Sequence, residues 1–148
     1  MGLKEELLGK TVFLDTAPLI YFIEGQKGIY YPFLKEIFKD NSDGKIFFLT
    51  STLSLMEVLV QPFRLNRRDL VENYKTILTT SSTMEILSID SEIAVLASRL
   101  RADYNLKTPD AIQIASSINS GADFFLTNDK ELSKVSEIKI RVLANEKL

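Results

Sequence analysis

The sequence has no cysteine and no histidine. The first absence excludes disulfides, thiolate zinc sites and thiol nucleophiles; the second excludes histidine triads and imidazole metal ligands. Long apolar runs are missing as well, none approaching the roughly 20 residues that span a bilayer. The opening "MGLKEELLGK" is acidic and short of apolar residues, and Glu6 stands where a myristoylation signal wants Ser or Thr, so a cytoplasmic protein is expected. No glycine loop of the phosphate-cradling type is present. Chemistry is thus left to carboxylates, hydroxyls, Lys, Arg and Tyr.

The 148 residues are 45% hydrophobic and 26% charged, the balance of a globular chain, and suit one domain over 1–148. A formal net charge of −2 gives no global attraction to nucleic acid, so such a partner needs a local basic patch or a bridging cation.

Four runs read as strands buried on both faces because they are apolar almost throughout: "TVFLDT" (11–16), "KIFFLT" (45–50), "MEILSI" (84–89) and "ADFFLT" (122–127). "IKIRVL" (138–143) alternates apolar and charged residues, as an edge strand does. Between them, apolar residues three and four apart predict helices over 17–24, 33–39, 52–61, 67–78, 91–104 and 109–119. Thr108 is the expected N-cap of the last of these, with Pro109 at its first position. "NSDGK" and "NSGAD" are turn chemistry. Strands alternating with helices predict an α/β fold: a three-layer sandwich with a mostly parallel sheet of about five strands.

In such sheets ligands gather at the carboxyl ends of the strands. Asp15 closes the first strand there, and Asp129 follows the run at 124–126 to the same rim. Each has a second reading as a helix cap. Glu57 lies within "LSLMEVLV", crowded by Leu55, Met56, Val58, Leu59 and Val60, where a buried carboxylate must be paired, protonated or metal-bound; otherwise Ser54, Glu57 and Gln61 form a solvated stripe. Asp110 opens a helix, where its charge favours the helix dipole by roughly 0.3 to 1 kcal/mol. Were all four to meet, each pair at about 5 Å would repel by roughly 3 kcal/mol at an effective dielectric near 20. Such a cluster needs a cation, and oxygen-only ligands favour Mg²⁺ or Mn²⁺. Carboxylate-held metal suits phosphodiester hydrolysis. Arg64, Arg67 and Arg68, with Lys75 beyond, offer a basic stretch for a nucleic-acid backbone, or else a solvated helix face.

These residues resemble the PIN-domain ribonucleases, particularly VapC-type toxins of toxin–antitoxin pairs. The matching pieces are "FLDTAPLIYF" (13–22), "STLSLMEVL" (51–59), "TPDAIQIASSINSGAD" (108–123) and "FFLTND" (124–129), in order over nearly the whole chain. The resemblance implies a PIN-like fold and a catalytic, metal-holding set of Asp15, Glu57, Asp110 and Asp129. Thr127 matches the hydroxyl residue that supports the last acid, and Asn128 is a second supporting candidate. It further implies Mg²⁺- or Mn²⁺-dependent cleavage of RNA, a homodimer, and a small antitoxin that blocks the site. The stretch from Gln26 to Asp43 is longer than in the smallest toxins. The other readings are a housekeeping RNA-processing nuclease and a scaffold that binds RNA or protein without cutting. A haloacid-dehalogenase-like phosphatase needs a second Asp where Ala17 stands. A receiver domain needs clustered acids where "FLDTA" has one, and an EF-hand at "NSDGK" needs Asp where Lys39 stands.

Overall fold

The computed structural model describes residues 2 to 146. Its sheet is wholly parallel, in the order β3-β2-β1-β4-β5, with β1 at Thr11–Leu14, β2 at Phe47–Ser51, β3 at Met84–Leu87, β4 at Phe124–Thr127 and β5 at Lys139–Val142. The helices are α1 (Leu3–Leu7), α2 (Thr16–Glu24), α3 (Tyr31–Ser42), α4 (Thr52–Arg64), α5 (Arg68–Thr79), α6 (Ser91–Tyr104) and α7 (Thr108–Asn119).

Side chains alternate across a strand, and this separates two cores. Val12, Leu14, Phe48, Phe124 and Leu126 face a core shared with Leu19, Ile37, Val58 and Tyr74. Phe13, Leu49 and Phe125 face the other, with Ile93, Leu100, Ala111 and Ile114. Phe13 stacks on Phe125 at 5.6 Å between ring centres. Burial on both faces explains why these strands read as continuous apolar runs.

Most expected elements form with shifted ends. Helix α3 outruns its expected span of 33–39 because the Asn41 amide donates to the carbonyls of Ile46 and Thr83, at 2.9 and 2.7 Å. Helix α1 was not expected, since five residues carry no periodicity; Leu3 and Leu7 hold it in the first core. The cap of α7 is Lys107 rather than Thr108, which is already helical, and no side chain bonds the end of the helix. Both predicted turns place a glycine at positive φ, Gly44 at 76° and Gly121 at 74°.

Register sets the level of the functional rim. Leu14 pairs with Leu126 and Phe13 with Leu49, so Asp15, Thr127 and Ser51 emerge together at the carboxyl ends of three adjacent strands.

Candidate active site

The four predicted acids line one cavity of about 350 Å³ at this rim, together with Thr16, Ile20, Tyr21, Gln113, Thr127 and Asn128. Asp15 arrives just beyond β1, Glu57 on α4, Asp110 on the first turn of α7 and Asp129 just beyond β4. Both readings of the two strand-end acids hold at once. Asp15 caps α2 by accepting from the Thr16 backbone N–H at 2.9 Å, and Asp129 caps a 3₁₀ turn (Lys130–Lys134) by accepting from that of Glu131 at 3.0 Å. A cap occupies one carboxylate oxygen on its inner side and leaves the group facing the cavity.

Asp15 is fixed twice. Its second oxygen accepts from the Thr127 hydroxyl at 2.8 Å, and that hydroxyl accepts in turn from the Asp129 backbone N–H at 3.1 Å. Thr127, fully buried, therefore joins the two acids. Asn128 bridges elsewhere: its amide donates to the Tyr21 hydroxyl at 3.2 Å, and its carbonyl oxygen accepts from the Ala144 N–H at 3.0 Å. It braces the cavity wall rather than an acid.

Glu57 is less enclosed than its apolar neighbours suggest, because Met56 and Val60 point to solvent while Val58 turns into the core. The solvated-stripe reading also fails at Ser54, which is completely buried. Glu57 accepts from the Thr16 hydroxyl at 3.0 Å, so Thr16 serves Asp15 by its backbone and Glu57 by its side chain. Sequence reasoning passed over Thr16, Gln113 and Tyr21. Gln113 was the detectable one, a polar residue between Ile112 and Ile114, one turn past Asp110.

Electrostatics distinguish this cluster. Burial pushes the Asp15 carboxyl up, opposed by hydrogen bonds from Thr127 and Thr16 and reinforced by the charge of Asp129. Asp110 is pushed up to about 6, first by burial and then by repulsion from Asp15 and Asp129, with Lys107 opposing. None of the four acids belongs to an ion pair among the described residues. Nor do any three acidic side chains converge, as they stand among the described residues, closely enough to hold an ion. The hydrogen bonds account for that spacing, since Asp15, Glu57 and Asp129 each lean on a protein donor. In atom type and charge the set fits a hard divalent cation: oxygen donors only, an excess of negative charge, and no basic side chain lining the cavity.

The basic stretch lies apart from this cavity. Arg64 ends α4, Arg67 sits in the following turn and Arg68 begins α5, all exposed. Asp69 holds Arg67 bidentately at 2.9 and 3.0 Å, and Glu72 pairs with Lys75 at 3.6 Å.

A family profile described as PIN domain matches residues 12–138. No curated protein matches the sequence significantly. Among solved structures, VapBC2 from Rickettsia felis bound to a DNA fragment from its promoter is 17% identical with TM-score 0.68, covering 89% of this chain and 98% of that one. A toxin–antitoxin complex from Klebsiella pneumoniae is 22% identical with TM-score 0.68, covering 89% and 97%. VapC20 of Mycobacterium tuberculosis, a Sarcin-Ricin loop cleaving toxin, is 14% identical with TM-score 0.66, covering 86% and 98%. Identities this low speak for a shared fold.

Proposed function

We propose that this chain, which belongs to the PIN domain family, is a metal-dependent endoribonuclease and the toxin half of a toxin–antitoxin pair. One observation carries the reading: four segments distant in sequence deliver four carboxylates to one cavity, and among the described residues no basic side chain forms an ion pair with them. Asp15, Glu57, Asp110 and Asp129 would hold Mg²⁺ or Mn²⁺. A cation bound there supplies charge neutralisation at phosphate and a lowered pKa for water.

The chain's own residues prepare that chemistry. Thr127 and the Thr16 N–H hold both oxygens of Asp15, so its orientation is set before any ligand enters. Burial and the neighbouring acids favour the protonated form of Asp110, so a cation bound there would compete with a proton. Tyr21 and Ile20 wall the cavity, with Asn128 bracing the tyrosine hydroxyl. The surplus negative charge of the cavity repels a phosphate backbone, so a bound cation would be needed for RNA to approach. Water attacking phosphorus, with the 3′ oxygen leaving, gives a 5′-phosphate and a 3′-hydroxyl. Arg64 and Arg68, exposed on the shoulder of α4 and α5, are the residues that would meet the backbone beyond the cut.

Helix α4 also supports the proposed homodimer. Met56, Val60 and Phe63 recur at helical spacing on its outer side, Met56 54% and Phe63 62% exposed, with Leu65 beyond. Phe63→Glu should convert a dimer to a monomer in light scattering. For the antitoxin, the support is that relatives are toxin–antitoxin complexes; a small reading frame beside this gene, encoding a protein that co-purifies and suppresses cutting, would establish the pair. No helix of the described residues is long and apolar enough to cross a membrane.

The deciding experiment is cleavage of labelled RNA with Mn²⁺ or Mg²⁺, set against EDTA and against Asp15→Asn. Cutting only by the metal-loaded wild type supports the nuclease. RNA that is bound but intact under every condition would make the protein a scaffold.

A further inference from the structure

Gln113 is 1% exposed at the heart of the molecule, and every polar atom of its side chain has a defined task. It lies one turn past Asp110 on α7, where a primary amide is costly unless its donors and acceptor are all used. Its Oε1 accepts from the Ser51 hydroxyl, and its Nε2 donates to the Ser54 hydroxyl at 2.6 Å. Ser54 Oγ lies 2.9 Å from Thr16 Oγ1, and Thr16 donates to Glu57 Oε1 at 3.0 Å.

The direction of this chain of bonds is not free. Glu57 Oε1 accepts from Thr16, so the Thr16 proton points to it. Ser54 must then give its own proton to Thr16 and accept from Gln113. That orients the amide with its oxygen toward Ser51, whose hydroxyl also accepts the Leu53 N–H at 3.2 Å as the N-cap of α4. Five side chains from β2, α2, α4 and α7 thus form one polarised relay ending on a carboxylate.

We propose that Gln113 is the positioning residue of the acidic cavity, holding Glu57 in register with Asp15 through the Ser51–Gln113–Ser54–Thr16–Glu57 relay, since Thr16 also caps Asp15. The inference rests on the metal-site reading above for its consequence, but its geometry stands without metal. The asymmetry of the amide is what the role needs: one side must accept and the other donate, which neither a carboxylate nor a hydrocarbon does.

The test combines crystal structures of the metal-free protein and its variants with Mn²⁺ affinity, read from the free-ion EPR signal. In Gln113→Met the side-chain volume stays but the relay is cut. Glu57 should swing away from Thr16, and Mn²⁺ should bind about tenfold more weakly, the lower end of what loss of a supporting contact costs a metal site. Asn41→Ala, which removes a buried amide at the opposite rim, is the control for destabilisation; it should lower the melting temperature at least as much and leave Mn²⁺ affinity unchanged. In Gln113→Glu, where residue 113 only accepts, the Ser54 proton should turn back toward it and release Thr16 from Glu57 in the crystal structure. Glu57 remaining on Thr16 in both variants would overturn the proposal, as would an equal loss of Mn²⁺ affinity in Asn41→Ala. Failure of the wild type to bind Mn²⁺ would sink the metal reading instead, while the position of Glu57 in the variant structures would still decide the part played by Gln113.

Discussion

The sheet has a cavity at each rim, and the two are close in size, about 350 Å³ at the carboxyl ends and about 330 Å³ at the amino ends. The amino-end cavity is lined by Lys10 and Lys139 as well as Asp123 and Glu137, so its charges balance. Its acids are also spent on structure: Asp123 accepts from the Thr11 N–H at 2.9 Å, and Glu137 from the hydroxyls of Tyr104 and Ser136. The carboxyl-end cavity carries Asp15, Glu57, Asp110 and Asp129 and no basic residue in its lining. Volume therefore does not single out the site. What does is a surplus of like charge left uncompensated by a chain that pairs acids with bases elsewhere, as at Glu6 and Arg141.

Substitutions at the two rims should behave oppositely. The largest effect is on catalysis: Asp15→Asn or Asp110→Asn should lower RNA cleavage on the order of a thousandfold, whereas Asp123→Ala should leave it within about twofold. A similar loss at both rims would erase the distinction. Next is metal linkage. Mn²⁺ at a hundred times its dissociation constant should stabilise the wild type by about 2.7 kcal/mol in thermal melts, and Asp15→Asn should abolish that gain.

The third prediction concerns pH. The folded-state pKa of Asp110, about 6, lies above the ordinary 3.8, so the folded chain binds this proton more tightly than the unfolded one. Its contribution to stability then falls as pH rises from about 4 through 6, and the penalty is complete above that. The full displacement corresponds to about 3 kcal/mol; the group is partly exposed, and solvent screening brings this to on the order of 1 kcal/mol. Asp110→Asn should accordingly raise the metal-free melting temperature at pH 7 by roughly 2 to 4 °C, while Asp123→Ala should lower stability by about 1 kcal/mol for the lost bond to Thr11. A destabilised Asp110→Asn would mean that the acid serves mainly as a first-turn helix charge. The smallest effect belongs to the shoulder: Arg64→Gln should weaken RNA binding and reduce its salt dependence by about one counterion, whereas Arg67→Gln should do less because Asp69 already holds that guanidinium.

Apolar runs exposed β1, β2 and β4 because those strands are buried on both faces; β3, expected to be buried likewise, lies at the sheet edge with Glu85 exposed, and Asp15 and Asp129 stood out because a carboxylate ending an apolar run contrasts with hydrocarbon. What stayed hidden depends on partners far along the chain. The end of α3 is set by Asn41 reaching Thr83, and α1 by two leucines docking into a core built elsewhere. Thr16, Ser54 and Gln113 look ordinary in their own segments and acquire meaning only when α2, α4 and α7 meet. The crowding predicted around Glu57 went wrong at Met56 and Val60 for a related reason: an apolar residue facing outward on α4 is locally indistinguishable from one facing inward.

The bond from Thr127 to Asp15 spans 112 positions of the chain, and the parallel pairing of β1 with β4 spans as many. At ribosomal speeds of about 5 to 20 residues per second, the first of the four acids emerges roughly 6 to 20 s before the strand that supports it. No local turn brings the two together, and contacts this distant are among the last to form. A growing chain thus lacks the assembled acidic cavity until β4 has been made. Under the toxin role proposed above, that delay is an interval in which a partner already present could reach the chain before its site is complete.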